Sequence, residues 1–219
     1  MKPVGVLRFL GTNCDADVIA ALDAVGIANK YIWWANRFEP SSYSAFVLPG
    51  GFSYGDYLRA GALAAHAPAM DDLRKAAEIG MPVLGICNGF QILCEAKLLD
   101  GALTKNISRQ FQDEWVDLEQ KSTQGFWNSK VRTHFRLPIA HSMGRWIAPA
   151  DIVKRLEDND QIWLKYAKNP NGSLHDIAGI SNKAKNVAAL MPHPERAMDD
   201  WMGSPDGKFL FDCLKAGGL

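Results

Sequence analysis

Short apolar runs alternate with helically spaced apolar positions through the first hundred residues. Val4-Gly5-Val6-Leu7-Arg8-Phe9 reads as a first strand, and Val18, Ile19, Ala21, Leu22 and Val25 then recur at helical spacing. Asn13 or Asp15 is placed to cap that helix, and Gly26 to stop it. Tyr31–Trp34 and Phe46–Leu48 make the next strands, residues 68 to 79 a second helix, and Val83–Ile86 a fourth strand. Phe90, Leu93, Cys94, Lys97 and Leu98 then return to helical spacing. This alternation predicts an α/β fold, an open and mostly parallel sheet flanked by helices on both faces.

After Asp100-Gly101 the pattern changes. Glu114–Glu119, Lys130–Phe135, Leu137–His141, Gln161–Tyr166, Ile177–Ser181 and Val187–Met191 read as strands joined by polar turns, Asn169-Pro170-Asn171-Gly172 being the clearest turn. Some of these additional strands in the second half are expected to pair antiparallel. A last helix, about Asp206 to Lys215, ends at Gly217-Gly218. With no internal repeat and no low-complexity linker, residues 1–219 read as one domain.

Composition narrows the class without naming a chemistry. Hydrophobic residues make up 47% and charged residues 22%, ordinary values for a globular chain. Twenty-four basic residues balance twenty-four acidic ones, so charge gives no reason to expect nucleic acid or an anionic membrane as partner. No apolar run approaches the roughly 20 residues of a membrane span, and Met1–Val6 lacks the features of a signal peptide. Cys14, Cys87, Cys94 and Cys213 form no C-x-x-C pair, and His66, His134 and His175 show no metal-ligand spacing. The expectation is a cytoplasmic, reducing location with no metal site.

The candidate chemistry lies at strand ends, where open α/β sheets place their sites. Val83–Ile86 runs into Cys87, with Gly85 and Gly89 two positions to either side, and then into a helix. Strand, sharp turn and helix with a nucleophile at the turn is the design of the G-x-S-x-G elbow; the alternative is an inert buried cysteine. Late in the chain, Met191-Pro192-His193-Pro194-Glu195 follows another apolar run, and the two prolines are expected to keep it extended. His193 and Glu195 then project to one side, as a base and the group that orients it. The alternative there is a solvated turn. Gly50-Gly51, at a third strand end, can aim a backbone N–H at the same point, and with the N–H of Asn88 it forms a candidate oxyanion hole. The Phe52–Gly61 loop either lines the cleft or faces a partner.

These motifs, a Pro-Gly-Gly turn, a Gly-x-Cys-x-Gly-x-Gln elbow and a late His-Pro-Glu, occur in the order found in the class I (triad-type) glutamine amidotransferases, which the chain resembles. Leu48–Gly61, Gly85–Ala96, Pro138–His141, Asn169–Ser173, Asp176–Gly179 and Met191–Ala197 carry the likeness. The Phe52–Gly61 loop is similar to that of a branch of glutaminase subunits serving purine synthesis. The resemblance implies a flavodoxin-like fold and a triad of Cys87, His193 and Glu195. It also implies Gly51 and Asn88 as oxyanion donors, and Gly50, Gln91, His141 and Ser142 around the glutamine substrate. Ammonia would pass to a separate large synthetase, and a possible further partner is a small third subunit. ATP and magnesium are expected on that synthetase and no cofactor on this chain, which has neither a G-x-x-x-x-G-K-[ST] nor a G-x-G-x-x-G motif. Two other readings compete: a free-standing cysteine amidase or γ-glutamyl hydrolase of the same fold, and a regulatory subunit with an idle triad. The chain departs from the family pattern at Ser142–Trp146, at Lys97 and Asp100, and over residues 121 to 135. Lys97 is expected in a left-handed conformation.

Overall fold

The computed structural model describes residues 2–127 and 132–216. Its first part runs β1 (Val4–Arg8), α1 (Asp15–Ala24), β2 (Asn29–Trp33), β3 (Ala45–Leu48), α2 (Pro68–Glu78), β4 (Val83–Ile86) and α3 (Asn88–Glu95). There follow β5 (Ala102–Thr104), β6 (Gln112–Gln120), β7 (His134–His141), β8 (Arg145–Ile147) and α4 (Ala150–Asp158). The chain finishes with β9 (Ile162–Tyr166), β10 (Ile177–Ser181), β11 (Val187–Leu190) and α5 (Lys208–Ala216).

Nine strands form one sheet in the order β2-β1-β3-β4-β11-β10-β9-β6-β7. Pairing is parallel from β2 through β11 and antiparallel from β11 to β7. Every residue of β3, β4 and β11 is buried, as strands covered on both faces require, which is why they read as unbroken apolar runs. The crossovers β1-α1-β2 and β3-α2-β4 step across the sheet in opposite directions. A common right-handed sense therefore places α1 and α2 on opposite faces. α5 packs beside α1, and α3 lies on β3, β4 and β11.

Several local expectations change. Cys14, not Asn13 or Asp15, occupies the N-cap of α1 and makes no side-chain capping bond. Asp15 instead pairs with Arg8 at 2.8 Å, a bridge the helix start puts within reach. The two strands expected over Lys130–Phe135 and Leu137–His141 are one, β7, because the alternation of buried and exposed residues continues through Arg136. Lys130 and Val131 lie outside the described residues, as do Gly217 and Gly218. The last helix starts at Lys208 rather than Asp206. β5 and β8, three residues each, pair with each other and are too short to show a period. α4 does carry a signal, Ile152, Val153 and Leu156 behind Pro149, that went unread. Lys97 is left-handed, φ 61°, as expected.

The antiparallel half does not lie flat. β7 is five strands from β4, about 24 Å at normal strand spacing. Yet the Ala140 carbonyl of β7 lies 3.9 Å from Cys87 Sγ at the end of β4. The sheet therefore curls until its last strand faces the middle of its parallel half. Pro138 is tolerated in β7 because this is an edge strand. Its carbonyl accepts the His193 N–H at 2.8 Å, tying the curled edge to the far side of the cleft.

Candidate active site

β4 and β11 are parallel neighbours, with Ile86 opposite Leu190. Cys87 and the Met191–Glu195 segment thus leave the sheet side by side at its carboxyl edge. Cys87 adopts φ 49°, ψ −102° between strand and helix, a sparsely populated conformation costing about 1–3 kcal/mol. Its N–H bonds to the Leu190 carbonyl at 2.8 Å. α3 can start this abruptly only because both flanking positions lack a side chain. A Cβ on Gly89 would stand 2.1 Å from the Leu48 carbonyl oxygen, and one on Gly85 would stand 2.6 Å from Leu93. Gly89→Ala is therefore expected to destabilise the chain by about 3 kcal/mol and lower Tm by about 10 °C, read by thermal unfolding.

His193 Nδ1 and Glu195 Oε1 are 2.6 Å apart. The His193 side chain is 2% exposed and the Glu195 side chain 0%, so this pair is shielded from water. The prolines do not keep the segment extended. Pro194–Arg196 forms a short 3-10 turn, because proline fits the first position of a helical turn, where its missing N–H costs nothing. The turn still directs both side chains together. Burial alone would lower the His193 pKa. The Glu195 carboxylate and the Cys87 sulfur outweigh it, and the pKa is raised well above the ordinary imidazole value. His193 Nε2 and Glu195 Oε2 are buried without a hydrogen-bond partner.

The remaining expected residues surround this pair in different ways. Gly50 is buried against the imidazole: a Cβ there would meet His193 Cε1 at 2.7 Å and Cys14 Sγ at 3.1 Å. Gly51, φ 141°, sits between the bonds from Cys14 N–H to the Gly50 carbonyl and from Phe52 N–H to the Gly11 carbonyl. Its own N–H takes part in neither. The N–H of Asn88, first residue of α3, is one of the donors a helix start leaves free. The Asn88 side chain accepts from Ser53 N–H at 3.2 Å and donates to Gln91 Oε1 at 2.7 Å. Gln91 Nε2 in turn donates to the Met143 carbonyl at 2.6 Å, so both ends of that amide are engaged within the protein.

His141 Nδ1 lies 3.1 Å from Asn106 Oδ1. Burial, reinforced by the His193 charge, depresses its pKa to about 4, leaving the ring neutral at physiological pH. Ser142 contributes its carbonyl, which accepts the Asn106 N–H at 2.9 Å. Asn106, 1% exposed, also donates to the His141 carbonyl at 2.9 Å and accepts from Gly144 N–H at 3.1 Å. Sequence reasoning passed over this asparagine, and nothing around it in the chain marks it.

A cleft of about 900 Å³ opens next to the site, lined by Asp56, Leu58, Arg59, Asn106, Met143 and Arg145 among others. Asn106 and Met143 form its link to His141 and Gln91. The Phe52–Gly61 loop lines the cleft through Asp56, Leu58 and Arg59, and its Tyr57 is 74% exposed. Tyr54, Asp56 and Leu58 all have positive φ, a strained conformation for residues with a side chain. Burial raises the Asp56 pKa to about 6.

A family model described as a CobB/CobQ-like glutamine amidotransferase domain matches residues 2–209. The chain belongs to this family. Among its relatives, phosphoribosylformylglycinamidine synthase subunit PurQ of Prochlorococcus marinus (strain NATL2A) is 47% identical over 96% of this chain and 98% of its own. The subunit of the same name from Methanosarcina mazei is 44% identical over 96% of each chain. These relatives place the amidotransferase in the PurQ branch. A chain of the solved PurLQS structure from Thermotoga maritima matches 99% of this chain and 99% of its own, with 41% identity and a TM-score of 0.90. Another solved glutamine amidotransferase from Thermotoga maritima, matching 98% of this chain and 90% of its own, shares only the fold, at 18% identity and a TM-score of 0.60.

Proposed function

We propose that this chain is the glutaminase subunit of phosphoribosylformylglycinamidine synthase. It hydrolyses glutamine and hands the ammonia to a large ATP-dependent synthetase, which converts formylglycinamide ribonucleotide to the amidine in purine synthesis. The observation carrying this reading is the water-shielded His193–Glu195 pair at the end of β11, beside Cys87 at the end of β4. The PurQ names of the relatives and the PurLQS neighbour supply the pathway and the partner.

Cys87 is the nucleophile. His193 takes the thiol proton as sulfur attacks the side-chain carbonyl carbon of glutamine, and Glu195 supports the resulting imidazolium. The N–H groups of Gly51 and Asn88 hold the developing oxyanion. His193 passes its proton to the departing nitrogen, releasing ammonia and leaving a glutamyl thioester. Water, deprotonated by His193, then cleaves the thioester to glutamate and restores the thiol. Gly50 seats the imidazole, while Gln91, His141 and Ser142 shape the wall against which glutamine lies.

We assign residues 1–219 to one glutaminase unit without a cofactor of its own, ATP and magnesium being used on the synthetase. Cys14, Cys87 and Cys94 form no disulfide, in keeping with a cytoplasmic location. Among the described residues no helix is long and apolar enough to cross a membrane.

The test is glutamate release by the purified chain, alone and with the host's large synthetase and its ligands, wild type beside Cys87→Ala. Weak activity alone, strong stimulation in the complex and none in the variant is the expected result. A wild type that stays silent in the assembled complex overturns the ammonia-donor role.

A further inference from the structure

Cys14 and His193 stand near opposite ends of the chain, yet the fold brings them together. Cys14 Sγ, a ring nitrogen of His193 and a carboxylate oxygen of Glu195 all lie within 4.8 Å of one another. Their residues are 3%, 2% and 3% exposed. Within this cluster His193 Nδ1 lies 2.6 Å from Glu195 Oε1, and the other carboxylate oxygen, Glu195 Oε2, is buried without a hydrogen-bond partner. Sulfur, imidazole nitrogen and carboxylate oxygen together are a zinc donor set. Zinc bonds of about 2.0–2.3 Å hold such donors roughly 3.3–3.8 Å apart, so the sulfur need draw in by only about 1 Å while the imidazole and carboxylate, now 2.6 Å apart, open to admit the ion. The proline-flanked turn carrying His193 and Glu195, and the loop carrying Cys14, meet at Gly50. There a Cβ would come within 3.1 Å of the Cys14 sulfur and 2.7 Å of the imidazole.

We propose that Cys14, His193 and Glu195 form an inhibitory site for a thiophilic divalent cation, Zn2+, which takes the base out of use when it binds. This rests on the reading of His193 as that base. On binding, the Cys14 thiol gives its proton to solvent and its sulfur coordinates as thiolate; the proton held between His193 and Glu195 also leaves to solvent, freeing lone pairs on imidazole and carboxylate. One thiolate and one carboxylate balance the charge of the ion, and the fourth position stays open to water. Arg196, whose Nη2 stands 3.2 Å from Cys14 Sγ, competes for that sulfur. It also reaches Asp17 at 3.4 Å, with a side chain 39% exposed, and can turn to that carboxylate as the ion enters. No spacing along the sequence betrays such a site, since two donors lie two positions apart and the third comes from near the other end of the chain.

The test is equilibrium dialysis of the purified full chain against Zn2+, with Co2+ as the spectroscopic probe for a thiolate ligand. Wild type, Cys14→Ser and Cys87→Ser are compared, and their thermal unfolding is followed to confirm folding. Wild type and Cys87→Ser are expected to bind one equivalent and give the sulfur-to-cobalt band. Cys14→Ser should lose the band and bind about 100-fold more weakly. Stoichiometric Zn2+ should also suppress wild-type glutaminase reversibly, while Cys14→Ser keeps its basal rate and escapes suppression. Equal binding by wild type and Cys14→Ser, or loss of binding in Cys87→Ser alone, overturns the proposal. Because binding is read without turnover, a wild type that is silent when metal-free in the assembled complex, yet binds the ion through Cys14, would sink the glutaminase reading and leave the site standing.

Discussion

In a Cys87→Ser variant, glutamate release is expected to fall by about four orders of magnitude, with Tm unchanged within about 2 °C. Serine fits the space of cysteine at a position 5% exposed, and its backbone preferences at φ 49° are no worse, so the fold has little reason to respond. The chemistry has every reason. A hydroxyl is a far weaker acid than a thiol, and a geometry arranged around sulfur leaves the shorter oxygen farther from the carbonyl carbon. The assay is stopped-time glutamate release by the assembled complex, with a thermal melt on the same sample. A variant that loses hydrolysis while still joining the synthetase removes the idle-triad reading. One that keeps hydrolysis would move the nucleophile elsewhere, and Cys14 would be the next thiol to test.

Glu195→Gln is expected to cost about a thousandfold in kcat while leaving KM within a few-fold. The carboxylate touches only the imidazole among the proposed triad residues, at 2.6 Å, so its loss is felt in proton transfer rather than in substrate binding. Its removal also changes the direction of the local electrostatics. The folded His193 pKa is raised because the Glu195 and Cys87 charges outweigh burial; without Glu195, burial gains the upper hand and the value drops. The acidic limb of the pH–rate profile should therefore move to lower pH. Stability follows the same linkage. A histidine whose folded pKa lies above its unfolded value stabilises the fold fully below the unfolded value of about 6.5, and that contribution is lost as pH rises through the folded value. The Tm gap between wild type and Glu195→Gln should be widest near pH 6 and close on the alkaline side. A gap that instead widens with pH would contradict the pairing.

What the sequence disclosed about this site follows from distance along the chain. The Gly85–Gly89 elbow and the His193–Glu195 pair are local: each is fixed by residues close together in the chain, and a reader of the sequence can see the turn and the side chains at once. The parallel half was legible for a related reason, since strands buried on both faces show as apolar runs. Asn106 was not legible, because a single asparagine among polar neighbours gives no sign that it will be buried and bonded to both His141 and Gly144. Cys14 gave no sign in the sequence of its approach to the imidazole, which depends on how α1 seats against the Pro194–Arg196 turn. The curl that brings Ala140 to Cys87 is likewise a sum of twists over several strand pairs. Local propensities do not encode it. The 3-10 turn at Pro194 was misjudged because proline suits an extended chain and the first position of a helical turn equally well.

The junction of β4 with β11 has a consequence in time as well as in space. It is the seam at which the sheet's amino-terminal strands join those from the second half of the chain, and the sulfur stands on one bank with the imidazole on the other. A ribosome that has released residue 100 has already exposed the nucleophile, but the base follows only after roughly a hundred further residues. Pairing across so large a separation comes late, after the local helices and strands have formed. Hydrolytic competence therefore waits on the joining of β4 to β11, and glutamine is safe from any shorter form of the polypeptide that lacks the imidazole.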